Sequence, residues 1–121
     1  MKSPTASDSV PKAVQDCHQL LLWMIPLIDK FPRVRRFTLG ERLETNLLTV
    51  LQDLVEASYS RDKIAALNRA NLQLDMARHL WRLAFELKLC SLDRYEYGAR
   101  LLVDLGRQIG GWRRSKQQVP T

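Results

Sequence analysis

Val14, Cys17, Leu21, Met24, Ile28 and Phe31 recur at alternating steps of three and four residues. That spacing draws one continuous apolar seam along an α-helix. The same period returns in three further segments, and nowhere does the chain show the two-residue alternation of a strand. A chain patterned this way buries its seams by packing helix on helix.

The first helix is expected from about Val10 to Lys30, with a kink at Pro26, where the ring removes a backbone donor. Pro32 is expected to end it. A second helix is expected to open at Thr38, which with Glu41 forms the Thr-x-x-Glu pattern of a capping box. Its seam is Leu43, Leu47, Val50, Leu51, Leu54 and Ala57 or Ser58, and it ends near Tyr59–Ser60 without a glycine or proline. The third helix is expected from about Arg61 to Leu89. Leu67, Leu74, Leu80, Trp81 and Leu87, joined by Ile64, Ala77, Ala84 and Phe85, give it a broad apolar side suited to more than one neighbour. Ser91 reads as the N-cap of the fourth helix, with Asp93 placed for its dipole. Leu92, Tyr95, Ala99, Leu102, Gly106 and Ile109 form its seam. Glycines in a helix cost about 1 kcal/mol each against alanine. Gly98 and Gly106 are therefore read as points of close helix approach, and Gly110–Gly111 as an end.

Short turns between four helices predict an all-α, antiparallel up-down-up-down four-helix bundle over residues 10–114. Residues 1–9 are expected to be a disordered lead, since MKSPTASDSVPK carries no apolar h-region, and residues 115–121 a polar basic tail. No run of 18 apolar residues suggests a membrane span, and the expected location is cytoplasmic. Cys17 and Cys90 read as free thiols. No pairing of them with His18 or His79 has zinc-ligand spacing, so no metal or other cofactor is expected.

The sequence carries no GxSxG, P-loop or HExxH, and His79, four residues from Asp75, reads with it as a pair on one helix surface. The chain is therefore expected not to be an enzyme. Its net charge is +6 and its pI about 9.7. So large an excess on a small domain favours nucleic acid or another acidic partner. The cations gather in three places. Arg78 and Arg82 lie one turn apart on the third helix and suit a two-pronged clamp on phosphate or carboxylate, or else a solvated stripe tied by Asp75 and Glu86. Arg33, Arg35, Arg36 and Arg42 crowd the first corner. Arg107, Arg113 and Arg114, with Lys116, crowd the end of the fourth helix. In an up-down bundle the corner and that end lie at opposite ends, so these groups cannot make one small patch. Trp23 and Trp81 read as core, which leaves few aromatic side chains for stacking and favours recognition of backbone or shape over single-stranded bases.

Three phrases taken together, FPRVRRFTLGERL, DMARHLWRLAFELKLCS and EYGARLLVDLGRQIGGW, resemble the four-helix-bundle family that includes proteins of ribosomal RNA intervening sequences. Within it they look most like the Avd (accessory variability determinant) proteins of diversity-generating retroelements. The resemblance covers about residues 14–114. It implies a homopentameric barrel that associates with a reverse transcriptase and its template RNA, and with cDNA, to support mutagenic copying. It also implies that Arg78 and Arg82 match an arginine pair of the family's third helix, and that Pro32 and Phe37 serve the helix junction. The intervening-sequence branch implies instead an interaction module without a nucleic-acid role.

Overall fold

The computed structural model describes residues 10–117. The lead expected over residues 1–9 and the last four residues of the expected tail lie outside them. Four long helices follow one another: α1 (Lys12–Ile28), α2 (Glu41–Tyr59), α3 (Lys63–Glu86) and α4 (Leu92–Gln117), with no strand among the described residues. Each packs against the next, and α1 closes the ring against α4. The seams meet in one core. Cys17, Met24, Leu43, Leu47, Val50, Leu54, Leu67, Ala77, Ala84 and Ile109 are fully buried, as is the indole of Trp81. Leu87 and Leu92 leave the expected seams and face solvent at the α3–α4 turn.

The first corner differs from the expectation. Helix α1 runs through Pro26 to Ile28, and Phe31 tucks into the core. Pro32 then starts the next helical run, with its carbonyl accepting from the N–H groups of both Arg35 and Arg36 at 2.8 Å. The position suits proline, because the first turn of a helix has no use for the N–H it lacks. Arg33–Arg35 are α-helical, Arg36–Gly40 form one wider π-turn, and α2 follows without a break. Thr38 is therefore inside the run and is no N-cap. Its hydroxyl donates back to the carbonyl of Val34 at 2.8 Å, as threonine does within a helix. Gly40 lets this turn sit against α1, since a Cβ there would come 2.9 Å from Ile28 Cγ2.

The α2 stop that glycine and proline do not mark is made by charge. Lys63 Nζ donates to the carbonyls of Ala57 at 2.7 Å and Ser60 at 3.1 Å, closing acceptors that the helix end leaves open. Asp62 caps α3 at Ala65 N. Helix α3 closes in a Schellman turn, with Lys88 at φ 63 and Leu89 N–H donating to Ala84 O. Ser91 Oγ then accepts from Arg94 N at 3.2 Å, the cap expected for α4. Helix α4 does not stop at Gly110–Gly111. It continues to Gln117, with the guanidinium of Arg114 folded back within 4 Å of both glycine Cβ positions.

Candidate functional site

Arg78 and Arg82 project from α3 into a groove of about 460 Å³ that α3 shares with α4, lined also by His79, Trp81, Tyr95 and Val103. Both are tied to acids on their own helix. Arg78 Nη1 lies 3.4 Å from Asp75 Oδ1, and Arg82 Nε donates to Glu86 Oε2 at 3.0 Å. Each tie uses one nitrogen of a guanidinium with five N–H donors, so both forks keep donors facing solvent. The stripe and the clamp are thus two aspects of one geometry.

The four corner arginines separate into two groups. Arg42 turns to the α2–α3 side and shares a groove of about 360 Å³ with Leu72, Asp75, Met76 and His79. Asp75 and His79 line both this groove and the one holding Arg78 and Arg82. Arg42 on α2 and the Arg78–Arg82 pair on α3 therefore line adjoining grooves, with Asp75 and His79 between them, a relation that linear spacing did not reveal. Arg33 and Arg36 instead lie over the ring of Phe37, their Cζ atoms 5.8 and 4.6 Å from its centroid. Arg35 is exposed beside them. None of the four makes an ion pair among the described residues. Phe37 is 55% exposed, so it is not a core residue of the junction.

The third group is partly structural. Arg113 is half-buried, and its Nη1 donates to Asn68 Oδ1 at 3.0 Å, tying α4 to α3. Arg107 sits 3.5 Å from Asp104 on the exposed side of α4, and Arg114 lies along its own helix. Of the tryptophans expected in the core, Trp81 is buried and donates to Tyr95 O at 2.9 Å. Trp23 is half-buried, edge-on to Trp81 and 4.9 Å from Tyr97.

The cysteines are free, and burial pushes the Cys17 thiol up to about 12. A group with that value stays protonated at neutral pH and is a poor nucleophile. Asp75 bonds to Arg78, and no hydrogen bond joins it to His79 among the described residues. Among those residues, no group of three or more His, Cys, Asp or Glu is placed to hold a metal ion, and no helix is long and apolar enough to cross a membrane.

No curated protein and no solved structure matches the chain. A family model does: the one described as bAvd-like aligns with residues 13–116, from the start of α1 to the last turn of α4. The match takes in all four helices and every arginine of the three groups, and the chain belongs to the bAvd-like family.

Proposed function

We propose that this chain is a non-catalytic accessory protein of a diversity-generating retroelement, which holds a reverse transcriptase and its template RNA, or the cDNA copied from it, on a basic surface. Family membership supports the accessory role. The observation that carries the binding role is the Arg78–Arg82 pair in the α3–α4 groove, each guanidinium using one nitrogen on its own helix and keeping donors for phosphate. Arg33, Arg35 and Arg36 extend the surface at the corner, and Arg107 and Arg114 add exposed charge at the far end.

The working unit in this reading is a homopentamer. Its support is the outer face of α3, where Leu72, Met76 and Leu83 are 68%, 42% and 43% exposed at helical spacing. Such an apolar stripe is better explained by a subunit neighbour than by water.

The test is the double variant Arg78→Ala with Arg82→Ala, assayed with a structured template RNA and with the polymerase. The expected result is an unchanged fold and solution mass with weakened binding. Wild-type affinity for RNA should fall steeply as salt rises, because each phosphate contact releases counterions. Wild-type binding by the double variant would remove the clamp from this account. A second reading has one observation in its favour: both arginines already hold an acid partner. On that reading the chain is a protein interaction module of the intervening-sequence type, and partner binding barely responds to salt.

A further inference from the structure

The chain places two of its three phenylalanines in opposite settings at one corner. Phe31 is 4% exposed and belongs to the core, whereas Phe37, six residues on, is 55% exposed. Phe37 rides on the π-turn Arg36–Gly40, and turns of this kind recur at functional sites. The turn is held firmly, because Gly40 lies against Ile28 and Phe31 with no room for a Cβ. Two guanidinium groups lie over the ring, those of Arg33 and Arg36, and neither forms an ion pair among the described residues. Next to the ring opens a groove of about 330 Å³ between the end of α1 and the start of α2. Asp29, Glu41 and Glu44 line it with Arg36 and the exposed Leu48.

We propose that this corner is a stacking site for one unpaired base of a single-stranded nucleic acid. The base takes the place of a guanidinium over Phe37, the displaced arginine and its neighbour turn to the flanking phosphates, and the amino edge of the base donates to Glu41 or Glu44. The proposal rests on the nucleic-acid reading given above and departs from it in one respect: the exposed Phe37 supplies a stacking platform where the scarcity of aromatic side chains had favoured backbone or shape recognition. Aromatic rings and guanidinium planes are the usual platforms for splayed-out bases, since every base has a π-face. The acids decide between ligands. A carboxylate accepts from the exocyclic amine of cytosine. The three carboxylates repel any phosphate in the groove, of lipid or nucleic acid alike, so the groove suits the amino edge of a base while its phosphates stay at the arginines.

The experiment is fluorescence anisotropy at low salt with labelled oligo(C) and oligo(U) of about 12 nucleotides and with an RNA duplex. The proteins are the wild type, Phe37→Ala, Phe37→Trp, and Arg33→Ala with Arg36→Ala. Stacking is worth about 1–3 kcal/mol per base, so Phe37→Ala should weaken oligo(C) binding about 5- to 150-fold. Duplex binding, helicity and solution mass should not change, and Phe37→Trp should restore affinity. Wild type should prefer oligo(C) to oligo(U), its near-isostere without the amine. If Phe37→Ala binds oligo(C) normally while the arginine variant does not, stacking is overturned and electrostatic RNA binding stands. If wild type binds none of the RNAs, both fall. A drop in solution mass on Phe37→Ala would make the ring a subunit contact. Loss of binding to phosphatidylcholine–phosphatidylserine vesicles, with oligo(C) binding intact, would make it a lipid contact. Either result overturns the proposal.

Discussion

Gly98 on α4 lies directly against the indole of Trp81 on α3: a Cβ at position 98 would come 2.7 Å from Trp81 Nε1 and 2.8 Å from Cε2, with Trp23 Cζ3 at 3.0 Å behind them. Trp81 cannot retreat easily, because its ring is 1% exposed and its N–H is committed to Tyr95 O. Gly98→Ala should therefore destabilise the fold by about 1–3 kcal/mol through overpacking. Gly106 gives the control. A Cβ there would meet only Leu74 Cδ2, at an ordinary 3.6 Å. Gly106→Ala should stabilise by up to about 1 kcal/mol through helix propensity. Thermal melts at equal protein concentration check both, and the opposite signs are the essential result.

The same pair shows what the sequence makes legible. Seam positions, the Ser91 cap and the close approach at Gly98 follow from period and local chemistry, which a linear string records. Gly106 looked identical to Gly98, because the size of the facing side chain is a tertiary fact. Thr38–Glu41 has the spacing of a capping box, but the pattern reads the same with threonine at the cap or inside a helix. Pro32 can follow one helix or open the next, and only the Pro32 carbonyl bonds to Arg35 and Arg36 decide. Lys63 stops α2 from across a turn, a role no propensity marks. In the candidate site the arginines were all visible. What was hidden was their sorting: Arg42 leaves the other corner arginines for a groove between α2 and α3, Arg113 turns inward to Asn68, and Phe37 turns outward.

Arg69 holds α3 to α2 through two acids. Its Nη2 donates to Glu56 Oε2 at 2.6 Å, and its Nε lies 3.4 Å from Asp53 Oδ1, a carboxylate with a side chain only 8% exposed. The Glu56 contact is a solvent-screened surface pair and contributes little. Asp53 matters more, because Arg69→Met strands a buried acceptor at a cost of about 1–3 kcal/mol. Adding Asp53→Asn should recover part of the loss by removing the stranded charge. Urea denaturation of the two single variants and the double variant would show this coupling, and simple additivity would contradict it.

Asp16 joins α1 to α4 by accepting from Lys12 Nζ and Gln108 Nε2, both at 2.6 Å. Those hydrogen bonds, Lys12 first and then Gln108, hold its carboxyl below the ordinary value of 3.8. A carboxyl lowered in the folded state stabilises above its unfolded value, and the contribution is lost as pH falls through the folded one. Asp16→Asn should thus be less stable than wild type at neutral pH, by under about 1 kcal/mol because the site is partly exposed. The difference should close as pH drops below about 3.8. Melting curves across that range test the sign. A gap that widened in acid would show that the tie has another origin.

Lys88 takes the left-handed conformation, φ 63, at the end of α3, the position where glycine usually closes a Schellman turn. A side chain there costs about 1–2 kcal/mol through the contact of Cβ with the next carbonyl. The turn persists because Leu89 N–H reaches Ala84 O at 2.9 Å and Lys88 N–H reaches Phe85 O at 2.8 Å, satisfying carbonyls that would otherwise be open. Lys88→Gly keeps both bonds and removes the strain, while giving back some of the gain as greater freedom of the unfolded chain. The net expectation is stabilisation of up to about 1 kcal/mol, read as a higher melting temperature. The exposed lysine makes no ion pair among the described residues, so little is lost with its charge. Lys88→Ala keeps the Cβ and should leave the melting temperature nearly unchanged, which separates backbone strain from loss of the lysine. If alanine raised stability as much as glycine, the strain account would be wrong and charge repulsion at this basic turn would take its place.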